Sequence, residues 1–206
     1  MYLPEHFKET RPEVLLELIR KNALGSLITY SDDGLDANHL PFEYDSKTHS
    51  LWAHIAKEND LYQLLKQPQR ILVIFKVNDA YVSPNWYLGK VEHHRAVPTW
   101  NYAVVHVHGT ALLVEDEKIL RGVLARLTRH HEADQEKPWR MSDAPQDYIQ
   151  DQLTKIVAIQ IKITHLIGKL KLSQNRSNAD KDSVAAEFQK HGKLDLSQMM
   201  NDLKNE

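Results

Sequence analysis

The chain has no cysteine among its 206 residues, which excludes disulfide bonds and thiolate metal ligands. No stretch approaches the roughly 20 apolar residues that a membrane-spanning helix needs. Charged residues occupy the first segment, MYLPEHFKETRPE, where a secretory signal would need an apolar run. We therefore expect a soluble, cytoplasmic protein with no membrane partner.

An excess of positive charge is also missing, since 26 Lys and Arg stand against 28 Asp and Glu, with a net charge of -2. DNA binding would need a local basic patch, and the sequence has no helix-turn-helix with a basic recognition helix. It contains no nucleophile elbow, paired-carboxylate site or phosphate-binding loop. We predict no catalytic side chain and no metal site, so any redox chemistry would come from a bound cofactor.

The apolar content of 42% suffices for a substantial core, and the sequence predicts one domain over residues 1–206 with a helical tail from about residue 177 to 206. The predicted strands cover residues 26–30, 35–44, 51–55, 71–77, 80–82, 102–114 and 156–172, with a turn at Asn78 and Asp79. Hairpin connections dominate, and regular alternation of strand and helix is missing. The pattern therefore favours an α+β fold, with an antiparallel β-barrel and peripheral helices.

The highest density of aromatic and imidazole side chains lies between Ala80 and Gly109, in AYVSPNWYLGKVEHHRAVPTWNYAVVHVHG. Pro84 and Pro98 interrupt this segment and place its aromatic rings on rigid corners between strands. Rings held in that way suit a planar ligand. Buried aromatic residues that anchor a sheet corner explain the same pattern, and the residues alone leave both readings open.

Four histidines of this segment have open roles. His106 and His108 alternate with valines on a predicted strand, so that one face carries imidazole and the other is apolar. Because no carboxylate sits at matching spacing, we favour a hydrogen-bonding role in the barrel or at a dimer interface over a metal site. His93 and His94 lie in a predicted loop, where they form either a polar lid or a contact to a ligand.

Five segments form a further pattern, in the order ANHLPF (37–42), LWAHIAKEND (51–60), AYVSPNWY (80–87), VPTWNYAVVHVHG (97–109) and KLSQNR (171–176). Together they resemble the PaiB-type FMN-binding negative transcriptional regulators, over nearly the whole chain. The resemblance implies an FMN-binding split β-barrel, related to pyridoxamine 5'-phosphate oxidases and small flavin reductases. It also implies a homodimer with flavin at its interface, and negative regulation of transcription, for instance of sporulation and protease genes.

The same resemblance implies cofactor contacts from four short segments. The residues with this implied role are His39, Leu40, Pro41, His54, Ile55, Ala56, Lys57, Asn59, Trp100, Asn101, Tyr102, Gln174 and Asn175. The segment after His54 would hold the phosphate, the segment at His39 would border the ring, and Trp100 would begin an aromatic wall. The simpler readings are a solvated loop, ordinary strand packing and turn-forming residues.

Some residues depart from the family pattern. Ala53 replaces the family's Gly, Lys57 replaces its usual Arg, and Asp60 replaces its usual Pro. Lys57 keeps the positive charge but loses the bidentate fork, so we expect weaker phosphate affinity than with Arg.

Two other functions stay open at this point. One is a flavin-dependent oxidoreductase that acts on a small molecule. The other is a haem-binding protein, because related split barrels bind haem and the chain has 12 histidines.

Overall fold

The computed structural model describes residues 1–203, apart from the side chain of His93. Helices occupy residues 178–190 and 194–202, in the region of the predicted tail, and residues 204–206 of that prediction lie outside the described residues. The helices are α1 (Pro12–Lys21), α2 (Leu61–Leu64), α3 (Lys90–His93), α4 (Glu117–His131), α5 (Gln146–Thr154), α6 (Asn178–Lys190) and α7 (Leu194–Asp202). None of the helices in the described range is long and apolar enough to cross a membrane.

The strands in this range form one eight-stranded antiparallel sheet. They are β1 (Lys8–Glu9), β2 (Leu24–Ser31), β3 (Gly34–Pro41), β4 (Glu43–Asp45), β5 (Ser50–Ala56), β6 (Gln69–Val82), β7 (Thr99–Val114) and β8 (Ile156–Lys171). Their order is β3-β2-β6-β7-β8-β5-β4, and β1 pairs with β8. The predicted strand 26–30 and the start of the predicted strand 35–44 form a hairpin, in which Ser31 pairs with Gly34, whose φ of 109° suits a turn glycine.

Two local predictions about the strands are wrong. The predicted turn at Asn78 and Asp79 does not exist, because β6 continues through both residues. The Nδ2 atom of Asn78 donates to Asp195 at 3.1 Å, and Asp79 forms an ion pair with Lys76, so both polar side chains have partners on a strand. The predicted strand 35–44 is divided between β3 and β4 at Phe42, whose ring packs edge-on against another phenylalanine.

The chain forms two compact units, and the long strands β6, β7 and β8 contribute residues to both. The first unit comprises residues 1–15, 76–105 and the chain from 167 onward. The second unit comprises residues 16–75 and 106–166. Buried residues of the first unit include Val82, Leu172, Val184, Phe188 and Leu196, and those of the second include Leu27, Leu51, Val73, Phe75 and Ile159.

Helix α4 shows how sequence specifies packing in the second unit. Its N-cap residue Asp116 accepts a hydrogen bond from the backbone N–H of Ile119 at 3.0 Å, which satisfies one donor of the first turn. Apolar residues at helical spacing then bury one face against β5 and α5. The cluster consists of Leu120, Val123 and Leu127 from α4 with Trp52, Leu153 and Ala158. This packing fixes the outer face of β5, where several predicted cofactor residues lie.

Candidate functional site

The end of β5, in the second unit, presents the predicted phosphate segment in alternating environments. Ile55 is buried in the core, so its side chain is not available to a ligand. Ala56 and Lys57 are exposed, and His54 is partly buried. Successive residues of a strand face opposite sides. His54 therefore shares a face of β5 with Trp52, which packs under α4.

His54 has a free hydrogen-bonding atom. Its Nδ1 is buried and has no hydrogen-bond partner among residues 1–203, and the same holds for Nε1 of Trp52. Burial lowers the pKa of His54 below its usual value of 6.5, so the imidazole is neutral at pH 7. A buried polar atom without a partner is uncommon in proteins, and one explanation is a bound molecule that the structure does not include.

Lys57 stands beside a strongly acidic rim. It lines a cavity of about 390 Å³, together with Glu115, Asp116 and Glu117. Glu115 accepts a hydrogen bond from the Tyr62 hydroxyl at 2.6 Å, and Glu117 pairs with an arginine of its own helix. These carboxylates make that cavity unfavourable for an anion. Lys57 could hold a phosphate only on its side facing away from this cavity.

Asn59 and His39 are placed differently from each other. The carboxamide of Asn59 has a partner at each of its polar atoms, because its Nδ2 donates to Asn38 and its Oδ1 accepts from the backbone N–H of Leu61, both at 2.8 Å. It therefore connects the segment after β5 with β3. His39 is exposed on β3, and its Nδ1 lies 3.0 Å from Oγ of Ser26.

Leu40 and Pro41 complete the predicted residues of β3. Both lie at the end of that strand and are partly buried, so each retains some accessible apolar surface. Within the second unit, the hydrogen bond between Asn59 and Asn38 links the segment that follows β5 with β3.

The predicted aromatic wall lies in the first unit, at the start of β7. Trp100 is 53% exposed, and its ring meets Tyr81 edge-on at 6.2 Å between centroids. The ring of Tyr102 lies under the ammonium group of Lys169, with Nζ 5.3 Å from the ring centroid. Trp100 thus offers an accessible flat surface, while Tyr102 is engaged by a cation.

Asn101, between these two aromatic residues, is only 1% exposed. Its Nδ2 donates to Oγ of Ser173 at 3.0 Å and to Sδ of Met200 at 3.6 Å, and Ser173 returns a hydrogen bond to Oδ1 at 3.2 Å. The carboxamide therefore has structural partners, and its role in the first unit is to connect β7 with the turn after β8.

That turn contains the other two predicted residues. Ser173 adopts a φ of 66°, in the left-handed region, and its carbonyl accepts from the backbone N–H of Arg176 at 2.9 Å. The side chain of Gln174 closes the turn, since its Oε1 accepts from the backbone N–H of Leu172 at 2.7 Å and its Nε2 donates to a backbone carbonyl. Asn175 is exposed and lines a cavity together with Asn101.

The sequence reasoning missed two cations that line the same cavity, Lys171 and Arg176. Both belong to the KLSQNR segment, but only its Gln and Asn were assigned a role. The available signal was the alternation of Lys169 and Lys171 on one face of β8, which a strand places side by side.

The family model described as "Putative FMN-binding domain" matches residues 1–165 of the chain. The protease synthase and sporulation protein PAI 2 of Bacillus subtilis is 28% identical over 201 residues, which cover 97% of this chain and 94% of that protein. An uncharacterised protein of Aspergillus fumigatus is 30% identical, over 93% of this chain and 92% of its own length.

Solved structures share the fold at low sequence identity. The FAD- and haem-binding protein of Mycobacterium smegmatis aligns with a TM-score of 0.63 and 18% identity, over 87% of this chain and 79% of that one. The flavocytochrome Anf3 of Azotobacter vinelandii aligns with a TM-score of 0.62 and 12% identity, over 82% of this chain and 72% of that one. The predicted fold class, an α+β protein with an antiparallel split β-barrel, is confirmed.

Proposed function

We propose that this chain, which belongs to the FMN-binding domain family whose model matches residues 1–165, is a homodimeric, cytoplasmic regulator of the PaiB type. Its cofactor is FMN. The proposed cofactor contacts come from the residues predicted from the sequence, except Ile55, Asn59, Asn101 and Gln174, whose side chains are buried or already bonded within the chain. Bound FMN would supply the redox chemistry, and the protein would position the cofactor and tune its electronic properties.

The observation that carries the proposal is the buried Nδ1 of His54, which has no hydrogen-bond partner among residues 1–203, at the strand end that leads into the exposed Lys57. A phosphate group needs hydrogen-bond donors and positive charge at one place. The neutral imidazole can donate from Nδ1 in one of its tautomers, and Lys57 adds a mobile ammonium group. These donors fit a phosphate in kind, although the acidic rim beside Lys57 opposes it.

In the first unit, considered by itself, Trp100 is the proposed contact to an aromatic ring. An isoalloxazine ring needs flat or apolar surface, and Trp100 offers an indole that is 53% exposed. Asn101, Asn59 and Gln174 have side-chain groups already engaged within the chain, so we assign them to the support of the site. A side chain that keeps its neighbours in place acts on ligand affinity indirectly.

Exposed apolar residues support a homodimer. The hairpin of β2 and β3 lies at one end of the strand order and carries Leu24, Tyr30 and Leu35, which are 67%, 69% and 77% exposed. Exposed apolar side chains at the end of a sheet favour association. Light scattering coupled to size exclusion tests this part, and a monomer at all concentrations up to about 100 µM, well above typical nanomolar to micromolar affinities, would refute it.

The regulatory part rests on the resemblance and on the Bacillus relative, whose name refers to protease synthesis and sporulation. The chain's net charge of -2 gives no general attraction to DNA. Regulation through a small-molecule or protein contact is therefore as compatible with this charge as direct DNA binding is. Transcripts compared between cells with and without the gene test the role. Negative regulation predicts a set of transcripts that rise in its absence, and an unchanged profile contradicts it.

The cofactor part is tested by the absorbance spectrum of the purified protein, followed by titration with FMN. We expect flavin bands, weaker FMN binding in Lys57→Met and His54→Gln, and no change in Lys47→Met, a control at another exposed lysine of the second unit. A colourless protein that takes up no FMN contradicts the proposal. A Soret band on haem addition would favour the haem alternative, and steady NAD(P)H oxidation by the FMN-loaded protein would favour an oxidoreductase.

A further inference from the structure

The first unit contains a small cavity whose polar lining is cationic and neutral. Its volume is about 130 Å³, and its polar lining residues are Thr99, Asn101, Lys171, Ser173, Asn175 and Arg176. No carboxylate occurs among the described residues that line it. The cavity beside Lys57 in the second unit has the opposite character, because Glu115, Asp116 and Glu117 line it.

Lys171 directs a charged donor toward this cavity. Its Nζ donates to Oγ1 of Thr99 and to the backbone carbonyl of Trp100, both at 2.5 Å. An ammonium group has three protons, so these two bonds leave one proton for a ligand. The two neutral acceptors hold the ammonium group in place without cancelling its charge.

Arg176 supplies the second cation. Its guanidinium carbon lies 4.6 Å from the centroid of the Tyr87 ring, which also lines the cavity. A stacked guanidinium keeps its N–H donors free at its edge, and those donors match two oxygen atoms of a carboxylate or a phosphate. The ring therefore orients the arginine while it leaves the arginine's hydrogen-bonding capacity available.

Like charges are neighbours at this cavity. Burial lowers the pKa of Lys171, and the neighbouring charges of Lys169 and Arg176 lower it further. Lys169 itself donates to the backbone carbonyl of Tyr2 at 3.0 Å, so it is held near Lys171 by a neutral partner. An anion placed between Lys171 and Arg176 would relieve the repulsion between these groups.

The back wall of the cavity is rigid, since Asn101 and Ser173 are buried and bonded to each other. The volume of about 130 Å³ corresponds to roughly four waters at about 30 Å³ each. It suits a carboxylate or phosphate group and is too small for an isoalloxazine ring.

We propose that the cavity between Lys171 and Arg176 is a binding site for a small anionic group, either a carboxylate or a phosphate. The site goes beyond the proposed function, in which His54 and Lys57 contact the phosphate of FMN, and it replaces them as the phosphate contact if the anion proves to be that of FMN. The anionic group belongs either to FMN itself or to a separate small ligand. Both sources share the same chemistry at this cavity, and the experiment below separates them.

The test is isothermal titration calorimetry at low salt, with inorganic phosphate and acetate as probes, on the protein with and without FMN. We expect saturable binding of at least one probe, and weakening of at least tenfold in Lys171→Met and in Arg176→Met. Arg176→Lys, which keeps a charge but lacks the fork, should bind with intermediate affinity. Lys193→Met removes an exposed positive charge from the same unit and should bind like the wild type. Circular dichroism checks that each variant is folded.

Two results support the site and identify the source of the anion. If loading with FMN abolishes probe binding, the anion is the phosphate of FMN; if binding persists, a separate ligand uses the cavity. The site is refuted if neither probe binds saturably, or if both folded methionine variants bind like the wild type. FMN uptake is measured by absorbance, so a protein that binds FMN without binding the probes refutes only this site. A protein that binds the probes but no FMN refutes only the proposed function.

Discussion

Asn101 and Ser173 hydrogen-bond to each other in the buried part of the first unit, across 72 positions of sequence. Asn101 stands near the start of β7, and Ser173 follows the end of β8 in a left-handed conformation with a φ of 66°. A serine in that region is strained, and it stays there only because the surrounding structure holds it. The pair thus keeps the turn after β8 in the form that carries Asn175 and Arg176 to the cavity.

The strain at Ser173 predicts a difference between two substitutions. Ser173→Ala and Ser173→Gly both remove the hydroxyl that bonds to Asn101, but only glycine adopts a positive φ without steric cost. We expect the glycine variant to be more stable than the alanine variant by about 1 kcal/mol. Urea denaturation of both variants measures this difference. Equal stabilities would show that the left-handed conformation is not strained in the folded protein.

Two glycines predict opposite effects of the same substitution. A Cβ atom at Gly109 would lie 2.5 Å from the backbone oxygen of Lys162, which cannot move without distorting β8. We expect Gly109→Ala to destabilise the protein by about 3 kcal/mol. A Cβ atom at Gly122, inside α4, would come no closer than 3.5 Å to a flexible arginine side chain.

Gly122→Ala is therefore the matched control for Gly109→Ala. Because alanine favours the helix over glycine, this variant should gain up to about 1 kcal/mol. Thermal unfolding of the two variants distinguishes them by the sign of the change in melting temperature. A stabilised Gly109→Ala would mean that β7 and β8 do not approach each other as described.

His54 predicts a pH dependence of stability. Burial lowers its pKa in the folded protein below the usual 6.5, so the unfolded chain binds more protons between these two pKa values. Stability from this group is complete above about pH 6.5 and decreases as the pH falls toward the folded-state pKa. The wild type should therefore lose more unfolding free energy between pH 7.5 and pH 5, a range on either side of roughly 6.5, than His54→Gln.

Denaturation curves at the two pH values provide the measurement. His131→Gln changes an exposed histidine of the same unit. Between the two pH values, this variant should lose as much unfolding free energy as the wild type. Parallel losses in the wild type and His54→Gln would show that the imidazole of His54 is not buried in its neutral form.

Lys57 predicts a gain in cofactor affinity. Lys57→Arg restores the guanidinium that is usual in the family, and its fork can donate two parallel hydrogen bonds to a phosphate. We expect FMN to bind roughly fivefold more tightly, as measured by quenching of flavin fluorescence. Lys47→Arg should leave the affinity unchanged. If Lys57→Met binds FMN like the wild type, Lys57 does not contact the phosphate.

Local patterns predicted much of the fold. On β7, Val105 and Val107 are buried and His106 and His108 are only partly so, as the alternation in the sequence indicates. This prediction succeeded because the period of two is a property of any extended strand. The turn predicted at Asn78 failed for the complementary reason. The side chain of Asn78 has its partner in Asp195, which lies 117 positions away in the sequence, so no local pattern could show that Asn78 lies within β6.

The site could be predicted only in part, because the sequence shows which polar residues exist but not which are already bonded. Asn59, Asn101 and Gln174 were all predicted as cofactor contacts, and each has a side-chain group engaged within the chain. The sequence reasoning did not assign a role to Lys171 and Arg176, although no carboxylate occurs among the described residues that line their cavity.

The sequence by itself determined the family, the fold class and the order of the strands along the chain. These depend on motifs and on periodicities that are read over a few neighbouring residues. Only the tertiary structure decided which polar atoms lack a partner among residues 1–203, as at the buried Nδ1 of His54, and which cations line a cavity, as Lys171 and Arg176 do. The physical reason is that a side chain's hydrogen bonds and charge environment depend on partners that folding brings from distant positions, as it brings Ser173 to Asn101.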